Sequence, residues 1–183
     1  MTILYKLGLL FCLIGVGCAK EQEERTFNIS SESLIGKDVD EYFRVWINDD
    51  LQAPLYFKLR KANGASRMHL VADLPYFFQL SLFATPIFVG PQIIYSGNES
   101  DLSKKFKRTH FEFFQHENAS IIRYYDIDST QQLNNQLMII AVDSLQRTVC
   151  AQFKVTLRKS YERVGNAPDS LSLRGEIKTR YYD

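Results

Sequence analysis

Residues 136–158 read QLMIIAVDSLQRTVCAQFKVTLR, and their spacing decides the fold class. From Val149 the apolar side chains fall at every second position: Val149, Ala151, Phe153, Val155 and Leu157, with Thr148, Cys150, Gln152, Lys154 and Thr156 between them. A period of two puts the first set on one face of an extended strand, whereas a helix would repeat every 3.6 residues. Residues 136–142 form the preceding arm, and Asp143-Ser144-Leu145-Gln146 is turn chemistry. Such a hairpin late in a run of short strands is what a β-sandwich uses to close.

Upstream the same period recurs. Phe27 and Ile29 alternate with polar neighbours; Phe43, Val45 and Ile47 oppose Tyr42, Arg44 and Trp46; Leu55, Phe57 and Leu59 oppose Tyr56, Lys58 and Arg60. Asn63-Gly64 then predicts a tight hairpin into a return strand at 67–71, because both residue types tolerate positive φ. The stretch 74–83 is apolar on both faces, as in a central strand, with Pro75 marking its start. Further extended pieces are expected at 92–95, 104–115 and 121–127, and no window shows a sustained amphipathic helix. About nine short strands predict an all-β domain, an antiparallel immunoglobulin-like β-sandwich over 26–159, with a small barrel as the alternative. Residues 160–183 read as a C-terminal extension or one added edge strand, after the loop formers Gly165 to Asp169.

At the other end, Lys6 precedes an apolar run of about ten residues ending in Gly15-Val16-Gly17-Cys18, too short to cross a bilayer. This resembles the lipobox of a Bacteroidota-type lipoprotein, with 1–17 as signal peptide and Cys18 as the lipidated residue. Gly15 stands where leucine is usual in that pattern. The polar, acidic stretch 18–25 reads as a flexible tether and resembles the export signal of surface lipoproteins. The resemblance implies a cell-envelope protein anchored in the outer membrane through lipid on Cys18, periplasmic or surface-exposed. An ordinary secretory signal cut nearby is the competing reading.

Without residues 1–17 the chain keeps 166 residues, enough for one domain with its own core. Its 21 basic residues then balance 21 acidic ones, which gives no electrostatic reason to expect nucleic acid as a partner. With Cys12 in the signal and Cys18 lipidated, Cys150 has no cysteine to pair with, so the fold must rest on apolar packing.

No motif assembles a catalytic site, and no cofactor is expected. His110, Glu112 and His116 are evenly spaced on one predicted strand and are weak candidate metal ligands; with no fourth ligand in view, the favoured reading is an exposed polar strand face opposite Phe111 and Phe113, and no metal is expected. Cys150 has no histidine near it in sequence to act as base. Trp46 and the aromatics around 76–95 could line a groove for a sugar or small ligand, or form core. In Tyr124-Tyr125 and Tyr181-Tyr182 adjacent strand residues face opposite ways, so one of each pair is a candidate for a binding surface. Asp128-Ser129-Thr130, Asp143-Ser144-Leu145 and Asp169-Ser170-Leu171 resemble O-glycosylation acceptors of Bacteroidota envelope proteins.

The strand patterns at 56–70 and 111–155 are similar to those of TraQ-type accessory lipoproteins of conjugative transposons, and that resemblance carries over no functional residue. The expected function is a non-enzymatic, lipid-anchored module that binds other envelope proteins. A small-ligand or glycan-binding lipoprotein is the alternative, and a hydrolase without a recognisable motif the third reading.

Overall fold

The computed structural model describes residues 41–61, 67–96 and 108–182. The signal peptide, the tether, Cys18, the first predicted strand near Phe27 and the Asn63-Gly64 turn lie outside these residues. Eleven strands are described: β1 Tyr42–Ile47, β2 Asp50–Gln52, β3 Tyr56–Lys61, β4 Arg67–Leu74, β5 Phe78–Pro86, β6 Gly90–Ser96, β7 Thr109–Glu117, β8 Ser120–Ile127, β9 Gln136–Asp143, β10 Thr148–Glu162 and β11 Ser170–Tyr182. Two short 3₁₀ turns, Pro75–Phe77 and Ser129–Asn134, are the described helical pieces.

The chain is all-β, and its strands join one sheet. Following the ladders through β3, β4, β5, β7, β6, β9, β10 and β11 leads back to β3, so the sheet closes on itself. The closing contact is short and parallel, Tyr181 opposite Leu59 and Tyr182 opposite Arg60. β8 fills the remaining gap between β7 and β10, and the β1–β2 hairpin extends the other edge of β11. An immunoglobulin layout has two separate facing sheets; here the ladders are continuous, as in a barrel.

The reason lies in β11. Read from sequence as an extension or edge, it pairs with β10 along eleven registered positions and with β1 and β3 on its opposite side. Leu171, Leu173, Ile177 and Tyr181 from this strand are buried in the shared core. Gly175 belongs to the same inward row, where an added Cβ would collide with the Phe153 ring.

The predicted alternation of β10 is realised: Val149, Ala151, Phe153, Val155 and Leu157 are all buried in one cluster with Phe111, Phe113, Leu80 and Val45. The two ends of the enclosed core differ. One end carries the β1–β2, β4–β5 and β7–β8 turns and is filled with rings: Phe78 stacks on Phe113 at 5.1 Å, and Phe113 packs against Tyr125 at 5.9 Å. The other end, reached by the start of β1 and the finish of β11, is lined by aliphatic side chains. It encloses a cavity of about 30 Å³ among Leu59, Met68, Leu70, Leu82, Thr85, Leu137, Ile139, Val149, Ala151 and Ile177.

Candidate functional site

Three tight turns at the ring-filled end place two consecutive residues at positive φ: Asn48-Asp49, Tyr76-Phe77 and Asn118-Ala119. Primed hairpin turns require this geometry, and asparagine and glycine tolerate it best. Two of the turns accordingly begin with asparagine. The third holds two aromatic residues, each at φ 61°, and is closed by the Phe78 N–H donating to the Pro75 carbonyl. A bulky side chain in this region costs about 1–2 kcal/mol per residue. Their burial does not offset that cost, since Tyr76 is 77% and Phe77 67% exposed.

The strained tip is braced from below. Gln115 Nε2 donates to the Tyr76 carbonyl at 2.8 Å, and the Phe77 ring lies 6.1 Å from that of His116. Gln115 Oε1 accepts in turn from Arg123, whose guanidinium also reaches Glu162 at 3.1 Å and the Val164 carbonyl at 2.8 Å. Glu162 further accepts from Lys159 at 2.8 Å and from the Ala167 N–H at 2.9 Å. With Lys159 as the leading cause, these partners hold the Glu162 carboxyl down at about 2. Lys159 also meets Asp169 at 3.1 Å. Gly165, at φ 106°, leaves room for the Arg123 guanidinium, where any Cβ would intrude. Leu55 and Tyr56 bring two more exposed apolar side chains to this end, because Leu55 N–H donates to the Asp73 carbonyl and Tyr56 pairs with Asp73.

The residues singled out from sequence are scattered over the barrel. Trp46 is only 2% exposed and lies 5.0 Å from the Arg44 guanidinium and 4.1 Å from that of Arg174, so its ring offers no open face. Tyr125 is buried against Phe113, while Tyr124 stacks on Phe114 at 6.2 Å and its hydroxyl is pushed up, first by burial and then by Glu112. Tyr181 is buried and Tyr182 exposed. One of each tyrosine pair thus faces inward, as alternation requires, but the outward partners sit on different sides of the molecule and form no common surface with Trp46.

His110, Glu112 and His116 do not converge. Six residues of strand separate the two histidines by about 20 Å, too far for one ion. His110 is buried, stacked on Phe83 at 5.3 Å, with Nδ1 donating to the Ser96 carbonyl at 2.7 Å. His116 packs against Phe77 and Phe114. Among the described residues no three His, Cys, Asp or Glu side chains gather as a metal-ligand set. Cys150 is half-buried beside the Tyr42 hydroxyl, and burial pushes its thiol up, away from the reactive thiolate.

Two of the Asp-Ser tripeptides are turn devices. Asp128 Oδ1 accepts from the Thr130 N–H and hydroxyl, and Asp143 Oδ1 accepts from the Leu145 and Gln146 N–H groups. The tip itself escaped sequence reading, since Pro75 marked a strand start and two aromatics carry no turn signal. No protein-family model, curated protein or solved structure matches the chain.

Proposed function

We propose that this protein is a lipid-anchored accessory module of the cell envelope that binds a partner protein through the Tyr76-Phe77 end of its barrel. The observation that carries the reading is the pair of exposed aromatics held at positive φ. Backbone strain that burial does not offset tends to persist where function selects it, and rigid exposed aromatics are what protein-binding surfaces use as anchors.

The test is cross-linking in intact cells followed by purification of the protein. Tyr76→Asn with Phe77→Gly keeps a primed turn while deleting both rings, and it should abolish a specific cross-linked partner. Leu145→Gly, at a fully exposed turn on the opposite end, should retain that partner. Equal capture by both variants contradicts the reading.

A further inference from the structure

The hollow end carries a feature that the adaptor reading does not use. β4 and β5 are out of step where Met68 pairs with Thr85 and Leu70 with Leu82, so two β5 residues oppose the single residue His69. This is a β-bulge, and it resets the alternation. After the inward Leu80 and Leu82, strict alternation would leave Thr85 on the outer face; the bulge turns it inward, to the wall of the cavity. There Thr85 is 5% exposed, and its Oγ1 is buried with no hydrogen-bond partner among the described residues.

Tyr42 Oη and His110 Nε2 at this end are also buried without a hydrogen-bond partner among the described residues, but they lie outside the cavity lining, and the inward Thr109 is matched. Thr109 Oγ1 donates to Gln92 Oε1 at 2.7 Å, and Gln92 Nε2 donates to the Pro86 carbonyl at 2.9 Å. An unmatched buried hydroxyl is destabilising, and among the described residues Thr85 is the one polar side chain beside nine apolar ones in the lining. A bound water needs two to four polar partners, so these side chains alone give it a poor site.

We propose that this cavity is a binding site for the narrow aliphatic end of a small neutral molecule whose oxygen hydrogen-bonds to Thr85. The volume sets the class: a cavity of about 30 Å³ is small, so only a slender, unbranched end enters while the remainder of a larger guest stays outside. Met68, unbranched and flexible, is the lining residue best able to give way as it does so. Thr85 lies one residue from the end of β5, nearer the hollow end of the barrel than Leu82 and its partner Leu70. The guest therefore points its hydrocarbon inward and its oxygen toward the rim, as an alcohol or an ester does. Among the described residues no lining side chain carries a charge that would compensate a charged head.

The test is methyl NMR on the folded protein titrated with 1-butanol. The proposal predicts saturable shifts at Leu70, Leu82, Ile139 and Ile177. Thr85→Val, which keeps the shape and removes the hydroxyl, should weaken 1-butanol by about fivefold, the worth of one neutral hydrogen bond, and leave 1-chlorobutane unchanged. Ala151→Leu should fill the cavity and abolish both titrations while the spectrum stays folded. Monomeric dihexanoylphosphatidylcholine as a second probe separates the sources: shifts at the same methyls assign the acyl end of a lipid, and their absence alongside 1-butanol binding assigns a free small molecule. No saturable shift with 1-butanol, equal affinity in Thr85→Val, or undiminished binding in Ala151→Leu would each overturn the proposal. None of these readouts depends on the aromatic tip, so this site and the partner-binding reading stand or fall separately.

Discussion

The two ends of the barrel are built from the same strands and solve opposite problems. At the turn end Phe78, Phe113 and Tyr125 fill the interior, the Gln115–Arg123–Glu162–Lys159 chain braces the outside, and the strain is carried by an exposed pair of rings. At the opposite end Ala151, Val149 and Met68 leave space, and an inward hydroxyl stands unmatched among the described residues. The difference teaches that rigidity and vacancy have been separated along one axis. The packed, braced end is suited to holding a fixed contact surface, and the loose end to admitting something small.

Substitutions should expose this asymmetry, most strongly in the core. Phe113→Ala at the turn end removes a ring clamped between Phe78 and Tyr125, and should cost about 3–5 kcal/mol in denaturant unfolding. Met68→Ala, beside a void that already exists, should fall near the low end of the about 2–5 kcal/mol seen for such truncations. Equal losses would mean that the two ends are packed alike. Enlargement should act in opposite senses. Ala72→Leu, at a fully buried position near the turn end, should overpack and destabilise by about 1–3 kcal/mol, whereas Ala151→Leu should be neutral or raise the midpoint.

Acid should loosen the turn end first. Glu162 is held at about 2 in the folded protein against an ordinary value of 4.5. Its contribution is therefore complete above the unfolded value and is lost as pH falls from 4.5 toward 2. Amide protection around 162–169, relative to the intrinsic exchange rate at each pH, should fall in that window, and Glu162→Gln should show the lower protection already at pH 7. Protection in the wild type that ignores pH over this range would deny Glu162 its bracing role.

Much of this architecture was legible in the sequence, for a definite reason. Strands with one wet and one dry face write their burial as alternation, and the inward row of β10 was read without error. β11 was legible only as an added edge strand and not as a central one, because Gly175 and the buried Glu176 break the apolar rhythm that Leu171 and Leu173 begin. Those two residues make sense only beside Phe153 and Gln152 on the neighbouring strand. Closure of the sheet depends on that same strand, so it too was hidden. The inward turn of Thr85 depends on a bulge, and a bulge is a mismatch between two strands that neither strand records alone. The tyrosine pairs were read correctly as one in and one out, but which neighbours gather around the outer members is a property of the fold. Trp46 was left between groove and core, because aromatic content says nothing about which face two arginines occupy.

The most direct test of whether the Tyr76-Phe77 tip is kept for contact is the unfolding free energy of the Tyr76→Asn, Phe77→Gly double variant, measured alongside its partner capture. If the tip stores strain for binding, an Asn-Gly turn should relieve it and raise stability by about 1–2 kcal/mol while the partner is lost. A fall in stability with capture unchanged would show that the rings serve the fold, and would contradict the assignment of this end as the contact surface.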